Sequence, residues 1–168
     1  VQAGMGRTGS WFSWQQLGFT PDIATTAKAL ANGLPVGACM AAEPVASAFR
    51  PGDHATTFGG GPVVCAAALA VIDEIESRRL LTNCQDRSRQ LASGLADLSG
   101  VEEVRGRGLL LAARLRGDIA GEVSRRALEE HKLVVNAVRP DAIRLAPPLT
   151  VEPHEVAEAV ERLGKALG

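Results

Sequence analysis

The sequence predicts an α/β fold in two parts: a partial α/β layer over residues 1–99 and a small α+β lobe over 100–168. Three observations predict it. Two short runs, 22–27 (rich in Thr and Ile) and 36–42 (small and apolar), read as strands, and long helical patterns follow them. Leu81, Cys84, Ser88, Leu91, Leu95 and Leu98 alternate steps of three and four, the period of an amphipathic helix. Beyond Gly100 the elements shorten and strands mix with helices.

Residues 1–20 are rich in glycine, with Trp11, Phe12 and Trp14 among them, and read as loop with aromatic anchors. Gly4-Met5-Gly6-Arg7-Thr8-Gly9 has the G-x-G-x-x-G spacing of a dinucleotide-binding turn, which needs a strand before it and a helix after it. Three residues precede it, and an aromatic stretch with Gly18 and Pro21 follows, so a glycine-rich turn is favoured. Lys28 stands at or just past the end of the 22–27 strand, and 29–35 is a Gly/Asn/Pro connection. The apolar run 36–42 reads as a buried strand, and 43–49 allows one or two helical turns. A loop over 50–61 ends in three glycines, and Pro62 suits the first position of a helix. Residues 62–76 are apolar enough for that helix to be buried. Gly100 stops the helix after it. Strands follow at 101–104 and 109–115 around Gly106-Arg107-Gly108. A helix over 119–131 places Ile119, Val123 and Leu128 on one face. Short strands at 133–136 and 143–146 precede a last helix carrying Val156, Val160, Leu163 and Leu167. There is no internal repeat or low-complexity tract.

Composition narrows the function. With 46% hydrophobic and 22% charged residues, the chain supports a packed core. A net charge of −1 argues against binding nucleic acid or an anionic membrane through bulk charge. Cys39, Cys65 and Cys84 are an odd number with no C-x-x-C pair, against a disulfide scaffold or a zinc ribbon. They are expected as small buried thiols in a reducing cytoplasm, and no metal site is expected. No apolar run approaches the roughly 20 residues of a membrane span. The start, Val1-Gln2-Ala3-Gly4, has neither a signal peptide nor an initiator Met, and is expected inside a longer protein.

Of 18 basic residues only Lys28, Lys132 and Lys165 are lysines. Lys28 lies in Thr25-Thr26-Ala27-Lys28-Ala29-Leu30, where small and apolar flanks would desolvate it and favour the free amine, as a Schiff-base lysine requires. The alternative is a strand-end lysine whose stem packs while its ammonium reaches water. Lys132 follows Glu129, Glu130 and His131, and Lys165 sits on the last helix; both are less suited. Thr56 and Thr57 precede three glycines and a helix start, where hydroxyl and free N–H groups hold a phosphate, or where a threonine turn caps the helix. His54 reads as a loop histidine. Arg144, inside an apolar strand, calls for an anion: a substrate carboxylate held by two bonds, or an internal acid.

In this order these stretches resemble the class-III pyridoxal-phosphate aminotransferases of fold type I. The likeness is collinear over nearly the whole chain. It runs from Val1-Gln2-Ala3-Gly4-Met5-Gly6-Arg7-Thr8-Gly9 through Pro21-Asp22, Ala27-Lys28, Gly33-Leu34-Pro35-Val36-Gly37-Ala38 and residues 54–62. It continues in Val104-Arg105-Gly106-Arg107-Gly108-Leu109, Val134, Asn136 and residues 144–150. The resemblance implies the C-terminal part of such an enzyme, with 1–99 closing the large cofactor-binding domain and 100–168 forming the small domain. It implies pyridoxal 5'-phosphate as cofactor and Lys28 as the lysine bonded to it, which also moves the substrate proton. It places Gln2 near the cofactor's phenolic oxygen, Thr57 at the cofactor phosphate across a dimer interface, and Arg144 at a substrate α-carboxylate. The implied reaction moves the δ-amino group of N-acetylornithine, or of a related ω-amino donor, to 2-oxoglutarate. The implied setting is arginine biosynthesis in a cytoplasmic homodimer with a shared active site. Ornithine, succinylornithine and 4-aminobutyrate are alternative donors. Gly61 departs from the asparagine common in the family. The aspartate that pairs with the pyridine nitrogen, the phosphate loop and the ring-stacking aromatic would fall before Val1. The chain alone is therefore also readable as a catalytically incompetent, incomplete folding unit that self-associates.

Overall fold

A computed structural model describes all residues from Val1 to Gly168. Polar side chains hold the glycine-rich N-terminal segment. Thr8 Oγ1 donates to the Ala3 carbonyl at 3.4 Å, and Gln16 Nε2 donates to the Thr8 carbonyl and to Ser10 Oγ, both at 2.8 Å. Residues 4–9 form turns beside an isolated bridge from Gly4 to Phe12, and only a 3-10 helix, Ser13–Gln16, follows. This is a glycine-rich turn without the following helix of a dinucleotide site. Strand β1 (Ile23–Thr26) then pairs antiparallel with β2 (Ala38–Ala41), Ile23 opposite Ala41 and Thr26 opposite Ala38. Between them lies the 3-10 helix Lys28–Ala31. Helices α1 (Glu43–Ala46) and α2 (Pro62–Ser77) complete a first unit, Val1–Leu81. At the start of α2, Gly61 is extended and Pro62 takes the position where a missing N–H costs nothing.

The second unit, Thr82–Gly168, holds most of the buried residues. It takes nearly all of α3 (Leu80–Ala96). The reason is packing: Cys84, Leu91 and Leu95 bury the apolar face of α3 in the core of this unit. Strands β3 (Val101–Arg107), β4 (Leu110–Leu115), β5 (Asn136–Arg139) and β6 (Ala142–Leu145) form an antiparallel sheet in the order β3-β4-β6-β5. Helix α4 (Ala120–Glu129) lies between β4 and β5 in the chain, and α5 (Pro153–Leu167) closes it. Leu111, Ala113, Leu115, Ile143 and Leu145 turn inward to join Val123, Val156 and Leu163 from the helices. Glycines permit close packing: the side chain of Val160 lies over Gly94, and that of Leu98 over Gly164. Pro153 opens α5, where the Glu152 N–H donates to the Glu155 carboxylate at 2.8 Å.

Four expectations are corrected. All four residues of β2 are exposed, and α2 buries only Ile75. The two-stranded sheet has one neighbour per strand and no helical layer over β2, so apolar composition there has no partner within the chain. The strand expected at 133–136 begins instead at Asn136, opposite Arg144; the Val135 carbonyl before it accepts from the Ser124 hydroxyl of α4 at 3.0 Å rather than from β6. None of the three thiols is in a disulfide, and only Cys84 is buried; Cys39 and Cys65 are exposed on β2 and α2.

Arg107 and Leu110 pair across a two-residue turn, and Gly106 on β3 has φ +130°. A Cβ on Gly106 would sit 2.1 Å from the Leu110 carbonyl oxygen, whereas one on Gly117 (φ +111°) would meet nothing within 4 Å. Gly117→Ala is expected to cost only the backbone penalty of about 1 kcal/mol, and Gly106→Ala more than about 2 kcal/mol, because the hairpin must shift. Urea unfolding of the two variants checks the difference; equal midpoints would contradict the hairpin geometry.

Candidate active site

Strand β1 ends at Thr26, Ala27 is still extended, and the chain then turns sharply at Lys28, whose φ is +54°. A side chain in this left-handed region costs roughly 1–2 kcal/mol, a cost that marks functional positions more often than random ones. Lys28 is exposed, so the expected desolvation by its neighbours is not present in the chain. Its chemistry is nonetheless unlike that of the other lysines. Lys132 Nζ donates to the Glu129 carbonyl at 2.7 Å and Lys165 Nζ to the Glu161 carboxylate at 2.6 Å, whereas Lys28 Nζ has no partner. Beside it Thr26 is only 6% exposed, and its hydroxyl is buried without a hydrogen-bond partner.

The threonine loop divides its two hydroxyls. Thr56 Oγ1 accepts the Gly59 N–H at 3.0 Å and closes a turn, while Thr57 is exposed and its hydroxyl is unbonded. The turn alternative thus belongs to Thr56, and Thr57 remains open to a ligand. Helix α2, which begins five residues later, packs on the 3-10 turn that Lys28 opens, and so brings the threonine loop's helix to the lysine. Gln2 is exposed and unbonded. Its neighbours Val1, Ala3 and Gly4 line a cavity of about 150 Å³ together with Ala24 and Thr25 of β1.

Arg144 belongs to the second unit, on β6 between the buried Ile143 and Leu145, and is itself exposed. No acid of the chain pairs with it, so the internal salt bridge is absent. Asn136 of β5 and Ala112 of β4 stand directly opposite it on either side. Next along β4, Arg114 is held by Glu103 at 3.1 Å and Glu102 at 2.7 Å. The Glu103 hydrogen bond and the Glu102 charge push its guanidinium above the usual range. Sequence reading gave Thr26 no part beyond flanking Lys28, and Asn136 none beyond its place in the motif. A buried orphan hydroxyl and a cross-strand register are visible only in the fold. A cavity of about 290 Å³ is lined mostly by apolar residues, Leu91, Pro147 and Val156 among them, and by none of the expected site residues.

A free amine on a strained turn, an unbonded hydroxyl before a helix and an unbonded carboxamide fit a phosphorylated carbonyl cofactor, and Arg144 fits a carboxylate. Comparison with known proteins gives the same direction. Residues 1–167 match the aminotransferase class-III family, and the chain belongs to that family. Class-III aminotransferases are dependent on pyridoxal phosphate. The chain is 47% identical over 167 residues to acetylornithine aminotransferase 1 of Bordetella bronchiseptica, which matches 97% of this chain and 42% of that protein. The acetylornithine aminotransferase of Elizabethkingia anophelis superposes with a TM-score of 0.92 at 31% identity, over 99% of this chain and 44% of its own. The ornithine aminotransferase of Toxoplasma gondii, which has partial occupancy of PLP at its active site, gives 0.90 at 27% identity over 99% and 41%. The chain therefore spans about two-fifths of the length of these relatives.

The strain at Lys28 has a measurable signature. Lys28→Gly is expected to be more stable than Lys28→Ala by about 1 kcal/mol, since only glycine adopts this φ freely. Paired urea midpoints check it, and a more stable alanine variant would exclude the left-handed turn.

Proposed function

We propose that the full-length protein is a pyridoxal-phosphate-dependent ω-aminotransferase. It transfers the δ-amino group of N-acetylornithine, or of a related ω-amino donor, to 2-oxoglutarate in arginine biosynthesis. The observation that carries this reading is Lys28: the one unengaged lysine, on a strained turn at the end of β1, within a chain that matches the family from end to end. The similarity to acetylornithine aminotransferases supports the donor. In this reading residues 1–99 belong to the cofactor-binding domain, and 100–168 form the small domain. The protein acts in the cytoplasm as a homodimer with a shared site. No helix is long and apolar enough to cross a membrane.

Each residue then has a distinct task. Lys28 Nζ would be the covalent attachment point for the cofactor, and as a free amine it would carry the proton from the substrate carbon to the cofactor's C4′. Bound pyridoxal phosphate supplies the electron sink for the charge left on that carbon. Gln2 donates its carboxamide N–H toward the cofactor's phenolic oxygen. The Thr57 hydroxyl donates to a phosphate oxygen across the dimer interface. Arg144 grips a substrate carboxylate with two N–H donors and orients the carbon to be deprotonated.

Borohydride reduction of the cofactor-loaded protein, followed by peptide mapping, is expected to place the pyridoxyl label on Lys28. A label on Lys132, Lys165 or a lysine outside these residues overturns the assignment.

A second reading concerns the 168 residues alone. Phe58, Val63, Phe49 and Leu69 are exposed at 90%, 73%, 69% and 62%, an apolar surface suited to burial against other protein. The isolated chain then self-associates and does not transaminate. Sedimentation is expected to show assemblies larger than one chain, and a monodisperse, active monomer contradicts this reading.

A further inference from the structure

Strand β6 ends at Leu145, and residues 146–152 lead to α5 without regular structure. Arg144 stands at the end of the ladder on the β5 side, where its partner is Asn136; beyond it only Leu145 is paired, to Leu111 of β4. The connector that follows is caught by side chains of α3. Asn83 Nδ2 donates to the Leu149 carbonyl at 2.8 Å and to the Val151 carbonyl at 3.0 Å, so both N–H bonds of one carboxamide are used. Gln90 Nε2 donates to the Pro153 carbonyl at 2.8 Å. Asn83 and Gln90 lie about two turns apart on one stripe of α3. Arg87 bonds to Gln90 Oε1, and a guanidinium only donates, so the Gln90 amide presents its N–H side to the connector. Burial of Cys84, Leu91 and Leu95 in the core keeps α3 itself in place. Between the end of β6 and the Asn83 bonds, Leu145, Ala146, Pro147 and Pro148 border the cavity of about 290 Å³, so packing does not fix them on that side. The locked φ of Pro147 and Pro148 makes this stretch a stiff lever rather than a hinge. A shift at the Asn83 end is therefore passed back to the end of β6.

We propose that Asn83 is a positioning residue for Arg144. From α3 it pins the connector behind β6, and so holds the Arg144 backbone where its guanidinium meets a substrate carboxylate. Gln90 extends the same hold to the start of α5. The inference rests on Arg144 being the substrate-carboxylate residue and deepens it by naming what fixes that arginine.

The test uses the full-length holoenzyme and two amino donors that differ by one carboxylate, N-acetylornithine and N-acetylputrescine. The dissociation constant of N-acetylnorvaline, which has the carboxylate but no amine to transfer, is read by calorimetry. Asn83→Ala is expected to raise the N-acetylornithine KM and the N-acetylnorvaline dissociation constant about five-fold or more, while kcat/KM for N-acetylputrescine stays within about two-fold. Asn83→Asp, which keeps the shape but has no N–H to donate, gives the same loss. Arg144→Gln abolishes the preference for the carboxylate, and adding Asn83→Ala to it costs nothing further, because the two residues act as a unit. Gln90→Leu, which releases only the far end of the connector, gives a smaller loss of the same kind and carries the test if the Asn83 variants do not fold. If Arg144→Gln abolishes the preference but the α3 variants weaken both donors equally, or neither, the positioning role is refuted and the reading of Arg144 stands. If Arg144→Gln leaves the preference intact, the reading of Arg144 falls and takes the proposal with it.

Discussion

Alternation of side chains along a strand is the constraint from which the second unit follows. Leu111, Ala113 and Leu115 of β4 and Ile143 and Leu145 of β6 are buried under the helices. Once they face inward, Ala112 and Arg144 have to face outward. A slip of one residue would drive the Arg144 guanidinium into the core, where an unpaired charge costs several kcal/mol, and would expose Ile143 and Leu145. The apolar core therefore selects the register, and the register sets out the row of polar groups on the opposite face. Chemistry on that face is a by-product of packing on the other, which explains how an arginine inside so apolar a strand is accommodated.

The first unit is governed by local geometry more than by burial. Its N-terminal loop is held by hydrogen bonds from Thr8, Ser10 and Gln16, and few of its side chains are fully buried. Within it the chain tolerates a left-handed lysine and a buried threonine hydroxyl with no partner. Each is a cost of the order of 1–3 kcal/mol, large beside the 5–15 kcal/mol of a typical domain. Such groups are natural contact points for a ligand, because binding supplies the partner that folding leaves out.

Much of this was legible in the sequence, and what was not has a common cause. The helices α3 and α5 were legible because a three-four spacing of leucines and valines has one interpretation over several turns. Lys28 at a strand end was legible because the threonine-rich run before it is short and clearly bounded. The start of β5 was not, because the Val135 carbonyl bonds to a side chain of α4, distant in sequence, rather than to the neighbouring strand. The exposure of β2 and α2 was not, because apolar composition states a preference for burial without naming what does the burying. Thr56 and Thr57 are alike as letters and differ only once the Gly59 N–H has chosen one. Asn136 becomes a neighbour of Arg144 only through strand register.

The uneven access of the three thiols gives the molecule two separate reporters. Cys39 and Cys65 lie open on the first unit, while Cys84 is sealed at 0% exposure against the helices and sheet of the second. A thiol reagent meets the first two without any structural event. It meets Cys84 only when α3 lifts from the sheet, so the rate of that single modification is a clock for the opening of the core. Local loosening and cooperative unfolding thus leave different chemical marks on the same chain.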